Sequence, residues 1–306
     1  MKRIWLLPLT GGLLFAQPRV DNVLEKMVPP GATSLVGARM DEIRNTDFYK
    51  EMVEQRKLPQ VDEFARETGF DPRRDVRELL FVTTKTGGVL LARGNFKVDL
   101  TTTDFKPVRH GVYTVRVSGT NGFCILDKTL AVAGDIPSVN AALDEWTRGS
   151  HMAAQPLLSH AKQIDGADPF WGVSTGFAGF IADNMPRAAS GIDFSKIFRG
   201  LEDTWFEATF AGGFKGMVHG ATATDQDAIN LRDTAKGMIG FGRLSVPENQ
   251  PEMLKLWDGF SVAQEGRSVA IDVDIPQNLV DRLIHMFDAA TGGRGRGFSG
   301  RAGRGR

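Results

Sequence analysis

Gly122-Phe-Cys-Ile runs through a turn into Leu130-Ala-Val-Ala-Gly-Asp-Ile-Pro137, and far downstream Gly259-Phe-Ser-Val runs into Val269-Ala-Ile-Asp-Val-Asp-Ile-Pro276. Each stretch reads as strand, tight turn, strand and then the first turn of a helix. Counted from the phenylalanine to the aspartate of Asp-Ile-Pro, the two turns should differ by two residues, where a hairpin tolerates insertion. A proline suits the start of a helix because it has no N–H to offer, and the first-turn donors have no helical acceptor. Asp135 is placed to cap the first such helix, whose apolar side is Val139, Ala142, Leu143 and Trp146 at helical spacing.

Working outward, the same order recurs. Thr204 to Phe210 and Phe214 to Ala221 form a hairpin around Gly212-Gly213, followed by a helix from about Asp225 to Phe241. Thr224 is its cap, and Ala228, Leu231, Ala235, Met238 and Ile239 are its buried stripe. Leu79 to Thr84 and Val89 to Asn95 flank Thr86-Gly-Gly as another hairpin; Ser34 to Ala38 is a short strand, and Asp47 to Thr68 is helical with a break at Pro59. Tight turns make antiparallel pairs, and one helix per hairpin covers a sheet face. The expected fold is therefore α+β: repeated hairpin-plus-helix units forming antiparallel sheet with helices on one face, in two similar halves. The halves span residues 17–190 and 191–291, dividing near Met185 to Ser195.

Both ends differ from this body. Lys2 and Arg3, the apolar run Ile4 to Phe15 and the small Ala16 have the order of a secretory signal over residues 1–16, which puts the mature start near Gln17 and the protein outside the cytoplasm, periplasmic or extracellular. Residues 292–306 form a low-complexity Gly/Arg tail with one aromatic, Phe298, too poor in apolar side chains to fold alone. The formal net charge of zero hides this segregation. Without Lys2, Arg3 and the tail arginines 294, 296, 301, 304 and 306, 30 basic side chains face 37 acidic ones. The acidic body disfavours nucleic acid, while Arg294, Arg296, Arg301, Arg304 and Arg306 are candidate contacts to an anionic membrane surface, a polysaccharide or an acidic protein face. Cys124 is the one cysteine, so no intramolecular disulfide forms and the core must suffice.

Val28-Pro-Pro-Gly-Ala-Thr-Ser-Leu-Val-Gly-Ala-Arg39, Asp47-Phe-Tyr-Lys50, Glu67-Thr-Gly-Phe-Asp-Pro72 and Val89-Leu-Leu-Ala-Arg-Gly94 follow one another along the chain. In these motifs the sequence resembles a group of uncharacterised exported bacterial proteins with the same run of strand, helix, turn and hairpin. The resemblance implies export and this architecture, and it carries no activity or site residues.

One pattern has a catalytic meaning. Gly172-Val-Ser-Thr-Gly176 fits the G-x-S-x-G nucleophile elbow, with Phe170 to Thr175 as strand, Phe177 to Asn184 as helix and Ser174 between them. Acids at Asp183, Asp193 and Asp203 and bases at His219 and His285 follow in α/β-hydrolase order. Against it, the surroundings read as hairpins, no oxyanion segment precedes it, and three fixed positions recur by chance. His110, His151, His160, His219 and His285 stand singly, Asp165, Gly166 and Asp168 read as a turn, and of Asp272 and Asp274 one caps a helix while the other is solvated. No metal or cofactor is expected. The function expected is a non-catalytic envelope protein, a binding or structural module with a basic tail. The competing expectations are a serine hydrolase using Ser174 and, if the leader is not one, a protein that holds RNA through its tail.

Overall fold

The computed structural model describes residues 20–54, 58–98, 105–149, 155–164, 168–175 and 201–291. Twelve strands form one fully antiparallel sheet. The first run comprises β1 (Ala32–Arg39), β2 (Val76–Thr84), β3 (Gly88–Gly94), β4 (Lys106–His110), β5 (Tyr113–Ser118), β6 (Asn121–Asp127) and β7 (Leu130–Asp135). The second comprises β8 (Phe170–Thr175), β9 (Leu201–Thr209), β10 (Gly213–Thr222), β11 (Phe260–Glu265) and β12 (Ser268–Pro276). Across the sheet the order is β11-β12-β10-β9-β8-β1-β2-β3-β7-β6-β5-β4. From the central β1–β8 pair outward, β1-β2-β3-β7-β6 and β8-β9-β10-β12-β11 follow the same plan, with β8 grouped in the second run although the expected bounds put residues 170–175 in the first half. The hairpin β4–β5 extends the first half alone, and no turn signal had marked it. The division near 185–195 lies outside the described residues.

Helices complete each half. In the first are α1 (Asn22–Glu25), α2 (Met40–Ile43), α3 (Asp47–Tyr49) running into a π turn at Lys50–Glu54, α4 (Pro59–Thr68), α5 (Pro72–Asp75), α6 (Ile136–Arg148) and α7 (Gln155–Gln163). In the second are α8 (Asp225–Leu244), α9 (Leu254–Asp258) and α10 (Gln277–Thr291). The sequence marks several ends correctly. Pro59 opens α4, Asp135 accepts the Ser138 N–H at 2.9 Å to cap α6, and Thr224 accepts the Asp227 N–H at 3.1 Å to cap α8.

Register decides which face each helix covers, because directly opposed residues share a face. Leu35 lies opposite Val82 and Val173, Val82 opposite Val89, and Gly37 opposite Leu80 and Trp171. With Leu91, Leu130 and Val132 these form the front face, buried under α1, α6 and α7 through Leu24, Val139, Leu143, Leu157 and Leu158. In the second half Val269, Val273 and Ile275 belong to the back face, and α8 and α10 cover that one through Ala228, Leu231, Leu279, Val280 and Ile284. Each half thus has its post-hairpin helices on one face, and the two halves use opposite faces. The β1–β2 connection reaches across to the second half. Phe48 stacks on Phe210 with ring centroids 4.3 Å apart, and Met52 joins Phe214 and Ile275.

The internal echo holds in topology and fails in register. Both hairpins close with two residues, Lys128-Thr129 and Gly266-Arg267, so the expected difference in turn length is not there. It lies in the strands: β11–β12 gains the pair Glu265–Ser268, and β6 shifts register between Ile125 and Asp127. In consequence Phe123 faces Ala133 on the back, whereas Phe260 faces Val273, on the helix-covered side of its half. A shift of one residue sends a side chain to the other face.

Two contacts carry measurable weight. A Cβ on Gly37 would fall 2.2 Å from the Trp171 ring, which lies across β1 and is 1% exposed. Gly37→Ala is therefore an overpacking change and should cost about 1–3 kcal/mol, read from denaturant melts together with a shifted Trp emission. The second is Asp135, which also accepts the Gly88 N–H at 2.7 Å and the Ser138 hydroxyl at 2.9 Å, tying α6 to β3. Burial alone would raise its pKa, but the N–H groups of Ser138 and Gly88 and the Ser138 hydroxyl outweigh it and hold the carboxyl below its ordinary value. A lowered carboxyl stabilises the fold above the unfolded pKa and loses that contribution as pH falls through the folded one. Asp135→Asn trades charge-assisted acceptors for neutral ones and should cost about 1 kcal/mol at neutral pH. The gap to the unaltered protein should close in melts taken at successively lower pH below about 4.

Candidate functional site

Ser174 does not sit on an elbow. It lies inside β8, paired with Ser34 on one side and Thr204 on the other, and is 3% exposed. Its hydroxyl donates to the Thr33 carbonyl at 3.1 Å. Thr83, Ser34, Ser174 and Thr204 thus line up as a hydroxyl row across four strands on the back face. Thr33 Oγ1 lies 3.2 Å from Thr83 Oγ1, and Ser34 Oγ bonds to that same Thr83 hydroxyl. Val173, Trp205 and His219 are mutually opposed on the front, so His219 is separated from Ser174 by the sheet itself. It stacks on Trp205 with centroids 5.1 Å apart; burial, then the charge of His160, lowers its pKa. Asp203 pairs with Thr175 on β9, and His285 is exposed on α10. Gly176, Asp183 and Asp193 lie outside the described residues. The nucleophile-elbow expectation is overturned: a serine paired on both sides within β8 and 3% exposed, with no base beside it among the described residues, has neither the exposure nor the partner that attack requires.

The remaining polar candidates are held locally. His110 Nε2 lies 2.8 Å from Asp144 Oδ1, joining β4 to α6. Cys124 is buried and its thiol is pushed up by that burial, with a smaller opposing effect from a Thr114 backbone hydrogen bond. Among the described residues no three His, Cys, Asp or Glu side chains converge as metal ligands. His151, Asp165 and Gly166 lie outside the described residues, as do Arg294, Arg296, Arg301, Arg304 and Arg306.

One open concavity was not foreseen. Among the described residues helices cover the back of the second half and leave its front open, and a depression of about 650 Å³ is lined there by Glu207, Lys215, Met217, Asp258, Asp272 and Asp274, among others. Both aspartates of β12 are exposed, as was expected of one of them. Asp274 is 3.5 Å from Lys215 Nζ, and Asp272 accepts from the Ser261 hydroxyl at 3.3 Å. Asp258 is paired with Arg243 at 2.8 Å. The acids are partly balanced in place, an arrangement suited to a solvated, mildly acidic contact surface. Its members come from five separated segments, so only the alternation of Asp272 and Asp274 was visible in sequence.

No protein-family model matches the chain, and no curated protein does. Two solved structures of TP0453 are similar in fold. The crystal form III structure has a TM-score of 0.52 at 9% identity over 86% of this chain and 98% of that one. Crystal form IV has 0.50 at 8% identity over 86% and 96%. At such identity the likeness concerns the α+β architecture alone, and it extends over nearly the whole of the other chain.

Proposed function

We propose that this chain is a non-catalytic envelope protein: an exported binding or structural module held against an anionic membrane surface by its C-terminal arginines. The observation that carries the reading is the seating of α10. Leu279, Val280 and Ile284 are 3%, 7% and 7% exposed against the back of the sheet, and the helix ends at Thr291, directly before the arginine-rich segment. Five cations are thereby tied to one fixed end of a body in which acids outnumber bases. Each arginine near an anionic leaflet contributes about 1 kcal/mol and fades within a Debye length. The leader-like order of residues 1–16 supports delivery to such a surface, and the open front of the second half is the natural place for a partner.

The test is co-sedimentation with vesicles containing phosphatidylglycerol or only phosphatidylcholine, comparing the full chain with one ending at Thr291. The full chain should bind the anionic vesicles, lose most of that binding when salt is raised from about 0.1 M to 0.5 M, and ignore the neutral ones. Equal binding by the shortened chain would sink the tail's role. Mass spectrometry of the protein recovered from its native cell should give Gln17 at the N-terminus; a retained Met1 would end the export reading.

A further inference from the structure

The two edges of the sheet are built differently. At the β4 edge, the two-residue turn closing on His110–Tyr113 makes Val108–Val115 and Lys106–Val117 the narrow, hydrogen-bonded pairs. The main-chain groups pointing outward then belong to Pro107 and Arg109. Proline has no N–H, and Lys106 and Arg109 add charge, so this edge carries the usual protections against strand pairing. At the β11 edge, the Asp274 N–H donates to the Gly259 carbonyl at 2.8 Å. That fixes Ser261–Asp272, Ala263–Ala270 and Glu265–Ser268 as the narrow pairs. Phe260, Val262 and Gln264 therefore present both N–H and C=O outward. This strand has no proline, lysine, arginine or register break. Among the described residues no strand lies beyond it.

We infer that β11 is a self-association edge: two copies of the chain pair their β11 strands antiparallel about a two-fold axis at Val262. The occupant is argued from the strand's own sequence. About that axis Val262 faces Val262, Phe260 faces Gln264 and Ser261 faces Ala263 of the second copy. Glu265 meets Gly259, so no like charges oppose one another. Every outward donor of one strand meets an outward acceptor of the other, giving about six main-chain hydrogen bonds. Helix α8 packs over β11, the edge strand, and carries exposed apolar side chains at Phe241 (59%) and Leu244 (87%). The inference stands apart from the proposed membrane attachment.

Sedimentation equilibrium of the full chain from about 1 to 200 µM should show a concentration-dependent dimer. Val262→Pro removes an outward N–H and no bond to β12, and should weaken the dimer at least about tenfold. Ser261→Lys with Ala263→Lys changes only exposed side chains, sets lysine against lysine across the seam, and should weaken it by at least as much. Arg109→Pro, on the protected edge, should change nothing. Circular dichroism melts establish that each variant is folded; if Val262→Pro is not, the lysine pair decides. A chain that stays monomeric throughout overturns the inference and leaves the edge to an extended segment of another protein. A dimer undiminished in either folded β11 variant overturns it as well.

Discussion

Between β1 and β8, residues 34–38 run antiparallel to residues 174–170, and through this ladder the two halves become one sheet. The register there is fixed by shape. The Trp171 ring occupies the space above Gly37, and next door the Phe206 ring over Gly172 holds β9 on β8 in the same way. Slipping the ladder by one residue would turn one strand over against the other, putting either Leu35 or Val173 on the back and the Ser34 or Ser174 hydroxyl of that strand into the apolar front core. Everything beyond the seam inherits this parity: which face α6 and α7 cover, which face α8 and α10 cover, and which half-face is left open.

Local features were legible in the sequence because their physics is local. Asp135 and Thr224 mark helix starts through hydrogen bonds made within three residues, and Pro137 by having no N–H to leave unpaired there. The glycines at 87–88 and 212–213 mark hairpins through backbone geometry. The β4–β5 hairpin escaped because its turn, Gly111-Val112, sits in a polar, charged edge where one strand is exposed on both sides and shows no alternation. The register of the echo escaped for another reason. A Gly-Phe match in sequence says nothing about which face the ring takes relative to the following helix, and the single-residue register shift between Ile125 and Asp127 in β6 changes that relation.

The same division holds for the candidate site. A five-residue pattern around Ser174 suggested a nucleophile, yet the identity of the neighbouring strands, β1 and β9, decides whether that serine is on a turn or inside a sheet. Those strands come from residues about Thr33 and Thr204. The acid-lined front of the second half is the converse case: Glu207, Lys215, Asp258 and Asp274 are unremarkable singly and meet only once β9, β10, β12 and α9 are in place. The tail arginines were the one chemically distinctive feature that composition alone could give.

The hydrogen bond from Ser174 to the Thr33 carbonyl joins residues 141 positions apart. Most of the other strand pairs are closed by turns of a few residues, as in β6–β7 and β11–β12. Chain entropy makes long-range closure slower than local closure, since the intervening segment must be drawn in before any contact rewards it. The seam on which the architecture depends is therefore also its latest kinetic event. Hairpins of either half can form while β1 and β8 still present bare edges, and the order of assembly runs opposite to the order of structural dependence.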